Sequence, residues 1–186
     1  FTGAHGKANG LDLLIEVALE LKRRNRKDIF LILIGEGICK ENLQKKVLRN
    51  NLTNCFFIPS IPKEKLAVIL RESVDVGLMV LKNIPEFYEG TSPNKFFDYI
   101  SSGLPIINNY PGWISRLIKE YNIGIAVKPD DYIDFTNALI TLADDRENLN
   151  LKGINARNLA IEKFSCDKLS SNVVEVIEKT CLKNLF

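Results

Sequence analysis

The stretch Glu89–Ile107, EGTSPNKFFDYISSGLPII, decides the fold because it combines a loop, a helix, a sharp stop and a buried strand. Ser92 is a favourable N-cap residue, and Pro93 then occupies the first helical position, where its missing N–H costs no hydrogen bond. Gly103 is typical of the position just beyond a helix, and the proline two residues later prevents continuation. The stretch therefore predicts a helix from Pro93 and a short strand after it.

The start of this helix is a predicted anion site. The N–H groups of Asn94, Lys95 and Phe96 would have no acceptor within the helix, and they would point back into the Gly90–Ser92 loop. Lys95 adds a positive charge, which the helix dipole disfavours at this end. A bound anion would remove the mismatch. The alternative is a surface ion pair between Lys95 and Asp98 one turn later.

Composition limits the class of protein. The 186 residues are 46% hydrophobic and 26% charged, which is ordinary for one globular domain with a core. Lys+Arg 25 and Asp+Glu 23 nearly cancel, which argues against a nucleic-acid-binding surface. The four cysteines form no C-x-x-C pair, so we expect reduced thiols in a cytoplasmic protein and no zinc site. No apolar run approaches the ~20 residues that span a bilayer, and we recognise no signal peptide.

Strand-like and helix-like segments alternate along the chain. Ile29–Ile34 is a continuous apolar run, typical of a parallel strand buried on both faces, whereas Leu11–Asn25 has apolar residues at helical spacing. The alternation predicts an α/β, Rossmann-like three-layer sandwich: one domain over residues 1–186, with a parallel sheet of about six strands and helices on both faces. The other predicted strands are the end of a first strand at Phe1–Gly3, then Cys55–Ile58, Val74–Leu81, Pro105–Asn108 and Gly124–Val127. The other predicted helices are Glu41–Asn51, Lys63–Glu72, Trp113–Tyr121, Tyr132–Ala143, Glu147–Phe164 and Asp167–Lys183.

Ligands of such sheets bind outside the carboxyl ends of the strands. Three glycine-containing loops follow predicted strands there: Gly3–Gly10, Gly35–Gly37 and Gly90–Ser92. His5, the only histidine, lies in the first loop rather than on an apolar face, and we take it as a candidate site residue. The second loop alone is a weak signal, since turn geometry could explain both of its glycines. A dinucleotide fingerprint needs a glycine where Lys40 stands, which disfavours an NAD-dependent dehydrogenase.

These segments together resemble the C-terminal, donor-binding half of the GT-B-fold retaining glycosyltransferases, family four. Essentially the whole chain follows the family's order: FTGAHGKANGLDLLIEVA, IFLILIGEG, NCFFIPSIP, SVDVGLMVL, GTSPNKFFDYISSGLPII and KFSCDKLSSN. The GTSPNK form resembles a bacterial branch used in surface-polysaccharide synthesis. The resemblance implies a nucleotide-diphosphate sugar donor, with UDP favoured, and a glycan or lipid-linked acceptor. It further implies catalysis without metal or cofactor, and it is compatible with peripheral association of the full-length protein with the inner membrane.

The resemblance also assigns roles to residues. Lys95 would stabilise the leaving diphosphate, and Asp98, where most members have Glu, would hold the ribose hydroxyls. The family's first acidic position falls on Gly90, which has no side chain, so Glu89 or Glu86 is the candidate replacement. The base would lie beside residues 57–60, and no catalytic residue is certain beyond the stabilising role of Lys95. The predicted nucleotide-sugar site consists of Gly3, His5, Gly35, Gly37, Glu89, Gly90, Thr91, Ser92, Asn94, Lys95 and Asp98.

Two diphosphate-binding side chains of the family pattern are missing, because Ala4 and Asn9 stand where members carry Arg and Lys. Lys7 and His5 are the remaining candidates in that loop. These losses support an alternative, a degenerate GT-B-like interaction domain without catalysis. A nucleotide-sugar 2-epimerase half is a second alternative, although it would normally carry more charged and histidine residues. We expect a fragment that lacks the N-terminal acceptor-binding domain, binds donor weakly and transfers nothing by itself.

Overall fold

The computed structural model describes residues 1–183, which form five parallel strands and nine α-helices. The strands form two sheets, one with the order β1-β2 and one with the order β3-β4-β5. They are β1 (Leu31–Ile34), β2 (Cys55–Ile58), β3 (Gly77–Met79), β4 (Ile106–Asn108) and β5 (Gly124–Ala126). The helices are α1 (Asp12–Arg23), α2 (Lys40–Arg49), α3 (Lys63–Ser73), α4 (Glu86–Gly90), α5 (Asn94–Ser101), α6 (Trp113–Glu120), α7 (Tyr132–Asp144), α8 (Arg146–Phe164) and α9 (Cys166–Lys183).

The predicted α/β class, with parallel strands surrounded by helices, is confirmed. Every predicted helix is present with its ends within two residues, and the short helix α4 forms where we expected only a loop. The sheet differs from the prediction, because it is divided into two separate parts. The predicted first strand is reduced to one parallel bridge between Thr2 and Ile34.

The core consists of two apolar clusters on opposite faces of the strands. Neighbouring residues of β4 contribute to different clusters, as expected when side chains alternate along a strand. Ile107 packs with a cluster that includes Leu14 of α1 and Phe135 of α7, and all three side chains are fully buried. Ile106 packs with Phe96 and other residues of α5, α6 and α8. Helix α5 is therefore held against the second face of the sheet, which fixes its amino end at the strand termini.

Local signals end α5 where the sequence predicts. Gly103 has φ +72°, and its N–H donates to the Ile100 carbonyl at 3.0 Å. The Leu104 N–H donates to the Tyr99 carbonyl at 3.0 Å. These two bonds form a Schellman motif, which satisfies the last carbonyls of the helix.

The predicted start of α5 is wrong by one residue. The cap position is occupied by Pro93, with φ −78° and ψ 128°, and no side chain caps the helix. The Phe96 N–H donates to the Pro93 carbonyl at 3.0 Å, so Phe96 is not one of the free amides that we predicted. Ser92 is exposed and lies outside the helix, since a residue that precedes proline is restricted to extended backbone.

Among the described residues, no helix combines the length and the apolar character that crossing a bilayer requires. Cys39, Cys55 and Cys166 are free thiols, as predicted. The side chain of Cys181 lies outside the described part of the structure.

Candidate functional site

The candidate site lies at the carboxyl ends of the strands, where the first two glycine loops lock together. The His5 N–H donates to the Glu36 carbonyl at 2.7 Å, and the Cys39 N–H donates to the His5 carbonyl at 3.0 Å. The Lys82 N–H donates to Ala8 at 2.9 Å, which ties the loop after β3 to the same assembly. We call Gly3–Gly10 together with Gly35–Gly37 the interlocked loops.

Close approach between the backbones of the two loops explains why both positions after β1 are glycine. Gly35 has φ +147° and Gly37 has φ +154°, a region that side-chain-bearing residues rarely adopt. A Cβ added to Gly35 would lie 2.0 Å from the Gly3 carbonyl oxygen, and one added to Gly37 would lie 2.6 Å from the His5 carbonyl oxygen. The geometry of the turn is therefore only part of the reason for glycine here. The missing side chains also allow the two loops to touch.

The side chain of His5 is buried beneath the backbone of the interlocked loops, in apolar surroundings that the sequence did not predict. Its ring lies 5.8 Å from the Phe57 ring and 6.1 Å from the Phe1 ring, measured between centroids. Neither ring nitrogen has a hydrogen-bond partner among the described residues. Burial, followed by the positive charge of Lys40, lowers the pKa of His5 below its ordinary value. The imidazole is consequently held neutral and supports the loops from beneath.

Lys95 extends from α5 over the first loop. Its Nζ lies 3.7 Å from the centroid of the Phe1 ring, a cation–π contact. The end of the side chain also lies against Gly3, since Cε and Nζ are each 3.5 Å from the position of an added Cβ. Tertiary packing thus brings together two predicted site residues that are distant in sequence.

The charge of Lys95 is poorly compensated. Burial lowers the pKa of Lys95 to about 7. Within the part of the chain that the structure describes, no carboxylate lies within 4.0 Å of its ammonium group. The N–H groups of Asn94 and Lys95 lie in the first turn of α5, where a helix provides no acceptor for them. These features together create a half-buried positive site that is suited to an anion.

Asp98 does not form the predicted alternative pair with Lys95. Its Oδ1 instead lies 3.4 Å from the Nζ of Lys63 at the start of α3, and about a quarter of the Asp98 side chain is exposed (27%). The carboxylate therefore remains accessible to a ligand hydroxyl, and its ribose-binding role stays a prediction.

Residues 86–93, which we call the α4 segment, are held partly by contacts with α6. Both Nη atoms of Arg116 pair with the carboxylate of Glu89, at 2.9 and 3.0 Å. The Trp113 indole N–H donates to the Thr91 carbonyl at 2.9 Å, and the Thr91 hydroxyl donates to Phe87. Glu89 is thus already engaged with a cation. Gly90, in contrast, faces open space.

Two further residues shape the site, although the sequence did not predict a role for either. The Tyr99 hydroxyl accepts the Thr2 N–H at 2.9 Å and so fixes the backbone just before Gly3. Lys40 donates to the Gly35 carbonyl at 2.9 Å and to Glu36 at 2.7 Å. Tyr99 lies in an ordinary amphipathic helix and has no sequence motif around it that indicates this contact, and Lys40 stands out in the sequence only as a departure from a dinucleotide fingerprint.

Comparison with known proteins identifies the class of protein. Residues 1–159 match the family model described as Glycosyl transferases group 1. The match covers most of the chain, and the chain belongs to this family. Its fold is one Rossmann-like half of a GT-B fold, as predicted.

Individual relatives agree with this assignment. The chain is 25% identical over 175 residues to an alpha-D-kanosaminyltransferase of Streptomyces kanamyceticus, aligned over 89% of this chain and 41% of that protein. The chain aligns with 44% of the length of a second curated relative, so it spans less than half the length of each of these two proteins.

Two solved structures share the fold. Anabaena HepE, determined in complex with UDP, superposes with a TM-score of 0.77 at 15% identity, over 96% of this chain and 49% of that one. The C-terminal domain of LpcC, a glycosyl transferase group 1 family protein of Francisella tularensis, superposes with a TM-score of 0.70 at 20% identity. That match covers 89% of this chain and 86% of that domain.

Proposed function

We propose that this chain is the donor-binding domain of a retaining glycosyltransferase that uses a nucleotide-diphosphate sugar, with UDP as the favoured nucleotide. The observation that carries the proposal is Lys95, a half-buried cation above Gly3 with no carboxylate partner in the described chain. Desolvation of an unpaired charge is unfavourable, and a bound anion would offset that cost.

The diphosphate would lie between the Lys95 ammonium and the free amides at the start of α5. Both groups are fixed before the reaction, because α5 packs on the core and the ammonium contacts the Phe1 ring. Preorganised positive groups of this kind stabilise negative charge that develops on a leaving group. As the bond between the sugar and the diphosphate breaks, Lys95 and these amides would stabilise the departing nucleotide.

The rest of the nucleotide would extend over the interlocked loops. Asp98 would accept hydrogen bonds from the ribose hydroxyls, and the glycines of the loops would allow the backbone to approach the ligand closely. We propose that the reaction needs no metal, because Lys95 and the amides would supply the positive charge.

The whole protein would contain an N-terminal half that binds a glycan or lipid-linked acceptor in surface-polysaccharide synthesis. UDP is favoured because HepE, a protein with the same fold, was determined with UDP. Retention of configuration by a front-face mechanism would need no protein base in this half. A fragment without an acceptor site would bind the donor and transfer no sugar.

The test is calorimetric titration of the chain with UDP and with GDP, before and after Lys95→Met. We expect UDP to bind, and we expect the substitution to weaken binding by at least ~1.5 kcal/mol, since a charge-assisted contact is lost. Lys45→Met is the matched control, because Lys45 is an exposed lysine of α2 that pairs with Glu41. That variant should bind UDP as the unchanged chain does.

Each other result has a defined meaning. Equal affinity before and after Lys95→Met would remove this lysine from the site. No binding of either nucleotide at millimolar concentration would favour the non-catalytic alternative. One observation supports that alternative: Asn9, at a position where family members carry a cation, uses its side chain to donate to the Ala4 carbonyl at 2.7 Å.

A further inference from the structure

A second lysine, Lys82, contacts the far end of the loop that Lys95 covers. Its backbone N–H donates to the Ala8 carbonyl at 2.9 Å. Its Cγ lies 3.1 Å from the position of a Cβ added to Gly10. The Nζ of Lys95 lies 3.5 Å from the corresponding position at Gly3. The two lysines therefore lie against the two ends of the first of the interlocked loops, and they reach it from separate elements, the loop after β3 and helix α5.

The two ends of this loop are joined by the side chain of Asn9. Its Nδ2 donates to the Ala4 carbonyl at 2.7 Å, so the residue before Gly10 is bonded to the residue after Gly3. The Asn9 N–H also donates to the Gly6 carbonyl at 3.2 Å, which closes a tight turn between the two ends. The bond across the loop thus brings the two glycines, and the lysines that contact them, near each other.

Asn109, which directly follows β4, fixes the backbone from which Lys82 extends. Its side chain is buried, its Oδ1 accepts the Leu81 N–H at 2.9 Å, and its Nδ2 donates to the Leu81 carbonyl at 3.0 Å. The Asn109 N–H donates to the Met79 carbonyl at 3.1 Å. The side-chain amide therefore continues the pairing of β3 with β4 beyond the ends of the strands. Both bonds hold the residue before Lys82, so the point from which this lysine extends is fixed.

The charge of Lys82 is available to a ligand. Its side chain is exposed, and within the described part of the chain no carboxylate oxygen lies within 4.0 Å of its ammonium group. Two other lysines at this end of the strands already have carboxylate partners. Lys40 pairs with Glu36 at 2.7 Å. Lys63 lies 3.4 Å from Asp98.

The chemistry of a diphosphate favours two cations rather than one. It bears negative charge on both phosphate groups, and more charge develops when it leaves a sugar. Burial lowers the pKa of Lys95 to about 7, so this lysine is only partly charged near neutral pH. A lysine binds phosphate as a compact point charge on a flexible stem, so an exposed lysine at the other end of the loop can supply the charge that Lys95 lacks.

We propose that Lys82 is a second phosphate-binding lysine, and that a nucleoside diphosphate lies between Lys82 and Lys95 across the closed loop. Asn9 and Asn109 are positioning residues: the first joins the ends of the loop, and the second holds the backbone before Lys82. This inference rests on the proposed function, because it takes the ligand of the candidate site to be a nucleoside diphosphate.

The experiment is calorimetric titration with UDP before and after Lys82→Met, which removes the charge and keeps an apolar stem over Gly10. We expect the Kd for UDP to rise by about fivefold, because a charge-assisted contact at an exposed position is lost. Lys82→Arg keeps the charge and should retain most of the affinity. The matched control is Lys27→Met, at an exposed lysine that precedes β1 at the opposite end of the strands, and its Kd should not change.

The double variant Lys82→Met with Lys95→Met separates direct contact from an indirect effect. If both lysines contact the ligand, the double variant should bind UDP about fivefold more weakly than Lys95→Met alone. Equal affinity of these two proteins would overturn the inference, because Lys82 would then act only through Lys95. Urea midpoints confirm that each variant is folded, and Lys82→Gln replaces Lys82→Met if that variant is not.

The other outcomes separate this inference from the proposed function. Unchanged affinity in Lys82→Met, with weaker binding in Lys95→Met, would overturn the role of Lys82 and leave the proposed function standing. An equal loss in Lys27→Met would also overturn it, since any lysine of the chain would then have the same effect. If neither UDP nor GDP binds to the unchanged chain, both this inference and the proposed function are wrong.

Discussion

Gly37 lies in the interlocked loops and Gly90 is the last residue of α4, and the surroundings of the two glycines differ. A Cβ added to Gly37 would lie 2.6 Å from the His5 carbonyl oxygen, whereas one added to Gly90 would meet no atom within 4 Å. The interlocked loops are held by backbone bonds and close approach. The α4 segment is held by side-chain bonds to α6. A side chain added at Gly37 would therefore disturb the contact between the interlocked loops, whereas one added at Gly90 would meet no neighbouring atom.

The largest expected effect tests this difference directly. Gly37→Ala should reduce the free energy of unfolding by about 3 kcal/mol, because the new methyl group meets backbone and φ is +154°. Gly90→Ala should change it by less than ~0.5 kcal/mol. Urea denaturation measures the free energy of unfolding of both variants. Equal losses in the two variants would show that the comparison is wrong.

The protonation of Lys95, which lies over the first of the interlocked loops, gives the next largest expected effect. With a free pKa of about 7, Lys95 is half protonated at pH 7 and mostly neutral at pH 8. A bound diphosphate favours the protonated form and raises this pKa, so binding takes up a proton and weakens as pH rises. UDP affinity should fall about fivefold between pH 7 and pH 8.

The control for this prediction is Lys95→Met, measured over the same pH range. Titration of the phosphate groups of UDP affects both proteins equally, so the ratio of the two affinities isolates Lys95. A ratio that stays constant from pH 7 to pH 8 would place the titrating group elsewhere.

The smallest expected effect concerns the exposed anchor of the α4 segment. Arg116→Met removes the ion pair with Glu89, and both side chains are about two-thirds exposed (64% and 66%). Ion pairs in solvent contribute little to stability, so the urea midpoint should not change measurably. A clear drop in the midpoint would mean that the α4 segment is as firmly fixed as the interlocked loops.

The sequence predicted the parts of the fold that depend on short-range signals. Helix α5 ends at Gly103 as predicted, because the helix stop depends on neighbouring residues alone. Its start was misplaced by one residue, since the serine before Pro93 does not form the expected cap. The division of the sheet was not predicted, because strand pairing depends on segments far apart in sequence.

The candidate site was predicted less completely than the fold. Gly3, Gly35 and Lys95 were named from the sequence, and the structure places them in one cluster with His5. The burial of His5 between aromatic rings could not be read from its glycine-rich neighbours. The ion pairs that engage Glu89 and Asp98 were also missed, because their partners belong to other helices.

The sequence by itself determined the alternation of strands and helices, the sharp end of α5 and the presence of a lysine in its first turn. These features follow from periodicity and backbone preferences within a few residues. Only the tertiary structure decided that this lysine lies over Gly3 and Phe1, and that burial weakens its charge. The reason is physical: desolvation and long-range contacts exist only after elements separated by more than ninety residues pack together.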